Sequence, residues 1–82
     1  MRRMDYDQRA RAAEEIQKLN YNHYIVAAKL GCPPGLVRYW LNLEGLPSAY
    51  YLARLHELGC DILYIITGKH YTITGGDTDV RP

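Results

Sequence analysis

The sequence predicts an all-α fold, five short helices followed by a C-terminal tail, and three observations point there. Apolar residues recur at spacings of three and four between residues 12 and 66, the period of a helix with one buried face. Asn22, Ser48 and Asp61 stand just before such stretches and Gly31, Gly59 and Gly68 just after them, the order in which caps open and close helices. The period-two alternation of a strand shows only at residues 71–74.

Each element has its own signals. Asp5, with Gln8 three residues on, forms a capping-box pair for helix 1 over roughly residues 5–19, and Ala12, Ala13, Ile16 and Leu19 mark its apolar face. Asn22 N-caps helix 2, which runs to about Leu30, and Tyr21 is placed to pack on Val26 as a hydrophobic staple. Gly31 ends that helix in the left-handed conformation, Cys32 is held extended by Pro33, and Pro34 suits the first turn of helix 3, residues 33–42. Helices 2 and 3 with this tight turn make a helix-turn-helix, a unit that carries its second helix into the DNA major groove.

Residues 43–47 are a loop closed by Pro47, and Ser48 caps helix 4, whose apolar face is Ala49, Leu52, Ala53, Leu55 and Leu58. Gly59 stops it. Asp61 then caps a last short helix, residues 62–66, ended by Thr67 and Gly68. A lone strand at 71–74 is unstable in water, so it is expected to pair with another surface, such as the same segment of a second copy. Residues 1–68 thus read as the folded domain and 69–82 as a tail, possible strand included.

Composition narrows the function classes. A chain of 82 residues, 48% apolar, is one domain with a modest core, and association would add to its stability. Cys32 and Cys60 are in no metal or C-x-x-C spacing, so they read as reduced thiols, with no disulfide and no metal site. No apolar run approaches the ~18 residues of a membrane span, and MRRMDYDQR is not a secretory leader, so a cytoplasmic location away from membranes is expected. No nucleophile, base and orienting residue are grouped and no phosphate-cradling loop occurs, so neither an enzyme nor a cofactor is expected. The net charge is only +1, yet residues 1–40 hold seven Lys or Arg against four Asp or Glu, while residues 41–82 hold three against five. The basic half contains helix 3.

Ala27-Ala28-Lys29-Leu30-Gly31, followed by Val37, Trp40 and Pro47, resembles the Xre/Cro-like family of helix-turn-helix repressors over about residues 21–68. The stretch LARLHELGCDILYIITG, residues 52–68, is similar to the end of phage repressor DNA-binding domains: a leucine-rich helix, a Gly-x-Asp turn and a Tyr-x-x-Thr-Gly stop. The resemblance implies a compact five-helix, lambda-repressor-like domain that regulates transcription. It implies that Ala27 is the small residue where helices 2 and 3 cross, Gly31 the turn glycine, and Val37 and Trp40 the inward face of the reading helix. Cys32 and Cys60 fall where relatives often carry valine, which favours small buried apolar roles. Leu41 stands where many relatives have an acid, so an apolar contact is expected to replace a polar one.

The outward face of helix 3 is then Pro34, Gly35, Arg38, Tyr39 and Asn42, with Leu36 at its edge. Relatives place several hydrogen-bonding side chains there, because base pairs are told apart by donors and acceptors; Pro34 and Gly35 offer none. Arg38 is expected to clamp a guanine or a phosphate, Tyr39 and Asn42 to donate hydrogen bonds, Pro34 to pack on a thymine methyl and Gly35 to let the backbone approach. The first turn of helix 2, with Asn22, His23 and Tyr24, is expected to face a phosphate. Arg2 and Arg3 form a basic arm, and with Arg9 and Arg11 they crowd the positive end of helix 1, a cost that an external anion would offset.

Eight tyrosines and no phenylalanine suit half-wet positions and interfaces; Tyr64 and Tyr21 read as core or rim residues, and Tyr50, Tyr51 and Tyr71 are candidates for a dimer contact. His56 and His70 have no ligand partner at local spacing. Two binding functions follow. One is a homodimeric regulator that sets two copies of helix 3 in successive major grooves of double-stranded DNA, about 34 Å apart, on a palindromic operator. The other is a helix-turn-helix protein, an antirepressor or antiactivator, whose Leu36, Tyr39 and Leu43 form a patch for a protein partner.

Overall fold

In the computed structural model, which describes the backbone of residues 3–70 and the side chains of residues 6–70, the chain forms five helices and, among those residues, no strand. They are α1 (Arg3–Gln17), α2 (His23–Leu30), α3 (Pro34–Leu41), α4 (Ala49–Leu58) and α5 (Ile62–Thr67). Tyr71 and the strand expected at 71–74 lie outside the described residues, as does Arg2; of Arg3 only the backbone is described.

Periodicity and caps account for most boundaries. Asn22 is extended and its Oδ1 accepts the Ile25 N–H at 3.0 Å, opening α2, and Gly31 closes it at φ 75°. Pro33, extended at φ −65° and ψ 143°, precedes α3, so Pro34 is its first helical residue, where a missing N–H costs nothing. Asp61 Oδ1 accepts the Tyr64 N–H at 3.0 Å to open α5, and Gly59 and Gly68 end α4 and α5 at φ 112° and 79°.

The core gathers where these helices cross. Ile16 of α1, Val26, Ala27 and Leu30 of α2, Val37 and Trp40 of α3, Leu55 of α4 and Cys60 form one buried cluster, and Ala12, Ala13 and Ile65 are buried with them. Ala27, a small side chain on α2, is 1% exposed within this cluster. Fully burying each of the larger side chains contributes roughly 2 kcal/mol. Leu41 packs against the cluster, the apolar contact expected of it.

Five expectations need correction. Helix α1 starts at Arg3, so Asp5 and Gln8 lie inside it, and Gln8 Nε2 donates instead to the Ile66 carbonyl at 3.0 Å. Ser48 holds the N-cap position of α4 but its side chain makes no capping hydrogen bond. Tyr21 is 44% exposed and lies under the Lys29 ammonium, 4.9 Å from its ring centre, a cation–π contact at the rim. Arg9 and Arg11 do not wait for an anion: Arg9 donates to the Leu43 carbonyl at 3.5 Å and Arg11 Nε to the Ile65 carbonyl at 3.1 Å. Of the apolar face read for helix 4, only Leu55 is buried, while Ala49 and Ala53 are exposed.

Candidate nucleic-acid interface

The amphipathic spacing of PGLVRYWL fixes how α3 sits. Val37 and Trp40, three apart, are buried, and the Trp40 ring meets the ring of Tyr51 from α4 at 5.4 Å. With that side locked, Gly35, Arg38, Tyr39 and Asn42 are exposed together on the other, Pro34 is half-buried beside them, and Leu36 packs against the core at the edge. Both faces thus fall as their spacing predicts.

Arg38 differs from the other arginines. Of the four whose side chains are described, Arg9 and Arg11 donate to carbonyls as above, and Arg54 donates to the Lys29 carbonyl at the end of α2 at 3.2 Å. Arg38 makes no such bond among the described residues, and no carboxylate pairs with it. None of the five donors of its guanidinium is taken by a described residue. Asn42 beside it is exposed and its backbone N–H ends α3 on the Arg38 carbonyl at 2.8 Å.

Gly35 also stands apart. It sits in the first turn of α3 with no positive φ, and a Cβ added there meets nothing within 4 Å. The fold therefore does not require glycine at this place, although glycine costs a helix up to about 1 kcal/mol relative to alanine. Gly45 is the opposite case: an added Cβ would overlap the Tyr39 ring, which lies across the loop after α3. Tyr39 is thus held by its own chain and is 45% exposed. Sequence periodicity places Tyr39 outward but does not show that it folds onto Gly45; the glycine in the LEGLP loop is the signal.

The first turn of α2 is more occupied than expected. Asn22 Oδ1 is taken by the cap, His23 is half-buried with Nε2 inside and without a partner among the described residues, and its ring lies 4.2 Å from that of Tyr24. Tyr24, 61% exposed, is the side chain that faces outward there. Of Leu36, Tyr39 and Leu43, expected to form a patch for a protein partner, Tyr39 is exposed, Leu36 and Leu43 are half-buried, and Leu36 packs against the core. Of the candidate dimer residues, Tyr50 is 64% exposed, whereas Tyr51 is half-buried against Trp40.

A second polar cluster, not foreseen from sequence, ties α1 to α5. Glu15, 4% exposed, accepts the Asp61 N–H at 2.8 Å and the Lys18 ammonium at 2.9 Å. Tyr64 donates its hydroxyl to Glu14 at 2.7 Å, which holds the Glu14 carboxyl below its ordinary value and pushes the phenol up. His70 stacks on Tyr64 at 4.1 Å and places Nδ1 2.9 Å from Asp61 Oδ2. The Tyr64 N–H and then His70 hold the Asp61 carboxyl below its usual range. Burial, with Glu15 nearby, pushes the Cys60 thiol up to about 12, and burial also raises the Cys32 thiol. Both cysteines are free; Cys60 belongs to the core cluster and Cys32 packs against it, half-buried.

Among the described residues no helix is long and apolar enough to cross a membrane, and no group of three metal-ligating side chains forms. Comparisons with known protein families, with characterised proteins and with solved structures find no match to this chain.

Proposed function

We propose that this chain is a sequence-specific DNA-binding transcription regulator of the phage-repressor type that uses the outward face of α3 in the major groove and acts as a homodimer on a palindromic site. The observation that carries this reading is Arg38, an arginine with no partner among the described residues at the centre of an exposed face, on a helix whose other side is locked by Val37 and Trp40. Gly35 supports it, because its missing side chain serves no need of the fold and leaves room for a base edge or a phosphate. In this reading Arg38 takes a guanine or phosphate, Asn42 adds a donor and acceptor, and Pro34 offers an apolar edge to a thymine methyl. Tyr39, pinned over Gly45, offers its hydroxyl from a fixed position. Arg9 and Arg11 are tied to the fold by bonds to carbonyls, so base reading in this proposal falls on the side chains of α3.

The test is retention of the chain's own upstream DNA over a range of salt concentrations. Wild type is expected to prefer one sequence and to lose affinity steeply as salt rises, because phosphate neutralisation releases counterions. Arg38→Ala is expected to cost about 1–3 kcal/mol of binding with little change in thermal stability. Equal retention of any DNA by wild type, together with no effect of Arg38→Ala, sinks the proposal.

A further inference from the structure

The chain doubles back where α5 ends. Gly68, left-handed at φ 79°, closes the helix, the Lys69 N–H donates to Thr67 Oγ1 at 3.1 Å, and His70 returns to the first turn of the helix just completed. Its ring stacks on Tyr64, with centres 4.1 Å and planes 6° apart, and its Nδ1 lies 2.9 Å from Oδ2 of Asp61, the residue that caps α5. Two contacts of different kind thus hold one side chain that is itself 54% exposed. Stacking persists in either charge state of the ring, whereas the ion pair needs the proton.

The surrounding charges leave the Asp61 carboxylate to this ring. On α1, Glu14 accepts the Tyr64 hydroxyl at 2.7 Å, Glu15 accepts the Asp61 N–H at 2.8 Å, and both carboxylates pair with Lys18. Arg11, 6.0 Å from the centre of the Tyr64 ring, donates its Nε–H to the Ile65 carbonyl. Lys69 lines a hollow with His70 itself, and His56 lines another with Asp61 and with Cys60, whose thiol is pushed up to about 12 by burial and stays neutral. Among the described residues, His70 is the basic side chain within ion-pair distance of Asp61.

We propose that His70 is a proton-operated latch: with its ring charged it ties the segment after Gly68 to the first turn of α5, and with its ring neutral the tie weakens to stacking and an uncharged hydrogen bond. Histidine is the side chain that changes charge between about pH 5 and 8. Asp61, held below its ordinary value by the Tyr64 N–H and then by His70, stays a carboxylate throughout that range. The latch is therefore closed on the acid side and opens as pH rises. It is built on α1 and α5, and it holds whatever α3 binds.

Tryptic cleavage of the full chain after Lys69 reads the latch, because the bond to be cut adjoins the side chain that is tied down. Asp61→Asn removes the charge, keeps a residue able to cap α5 and leaves the cleavage sequence unaltered. Rates are taken relative to cleavage after Lys29, inside α2, which reports opening of the whole domain. Near pH 6, Asp61→Asn is expected to be cut after Lys69 about two- to fivefold faster than wild type, the size of one exposed charged pair. At about pH 8.5, where histidine is neutral, the ratio is expected to fall to near one. In a His70→Gln background Asp61→Asn is expected to change nothing at either pH. Equal rates for Asp61→Asn and wild type near pH 6 overturn the proposal, as does an excess of the same size at both pH values, which makes the tie independent of the proton. An effect of Asp61→Asn that survives without His70 overturns it too, because the carboxylate then acts only through the cap of α5.

Discussion

The outward face of α3 and the hollow between α4 and α5 are both open to solvent, yet they are built from opposite materials. The first centres on an arginine without a partner among the described residues, flanked by Asn42 and by a glycine with empty space above it. The second is walled by alanine, leucine and isoleucine, with one basic and one acidic group at its rim. The difference teaches what each surface suits: a charged, hydrogen-bonding ligand whose affinity falls with salt on one side, and an apolar contact that responds little to salt on the other. A single 82-residue core supports both, because α3 leans on it through Val37 and Trp40, and α4 and α5 through Leu55 and Ile65.

Breaking the support under one face while sparing the other is the strongest way to test that division. Glu15→Ala removes the acceptor of the Asp61 N–H and one partner of Lys18. It is expected to cost about 2 kcal/mol, because the amide is left unpaired in a partly buried site. Hydrogen exchange is expected to quicken in α5 and not in α3. Equal loosening of both helices contradicts independent support.

A smaller effect is expected on the α3 side. Gly45→Ala drives a methyl into the Tyr39 ring, and denaturant unfolding is expected to show a loss of about 1 kcal/mol from overpacking. With Tyr39→Ala already present the same change is expected to cost almost nothing. Additive costs in the double-mutant cycle remove the contact from consideration.

Gly35→Ala sharpens the comparison by separating stability from binding. The fold has room for the methyl group and the helix gains up to about 1 kcal/mol, so the melting temperature is expected to rise while DNA retention falls. A rise in both places glycine there for no ligand.

The smallest effect concerns pH. The Asp61 carboxyl is held below its ordinary value of 3.8 by the Tyr64 N–H and by His70. Its contribution is therefore fully present above that value and fades as pH falls from there through the lower folded-state value. Urea unfolding of Asp61→Asn is expected to show a shallower loss of stability than wild type across that acid range, with asparagine still able to cap α5. Parallel curves for the two proteins exclude the carboxylate as a source of acid sensitivity.

Much of the fold was legible because its signals are local. Asn22, Gly31, Pro33, Asp61 and Gly68 act on their own turns, through backbone conformation and first-turn N–H groups, so their effect is written in adjacent residues. The outward placement of Gly35, Arg38, Tyr39 and Asn42 was legible for the same reason, since Val37 and Trp40 fix the opposite side of a regular helix. The start of α1 was not: the Asp5–Gln8 pair has the form of a cap, but Gln8 finds a better acceptor at Ile66, 58 residues away.

What the sequence determined by itself was therefore the order of five helices, the caps and stops of α2 and α5, the stop of α4 and which side of α3 looks outward, all consequences of spacing within a few residues. Only the tertiary structure decided that Arg9, Arg11 and Arg54 each donate to a carbonyl far along the chain while Arg38 makes no such bond among the described residues, and that Glu15 is buried against Asp61. It also decided that half of the apolar side of α4 stays outside the core. Those outcomes depend on which helices meet and at what distance, and α5, at six residues, covers too little of α4 to bury its whole face.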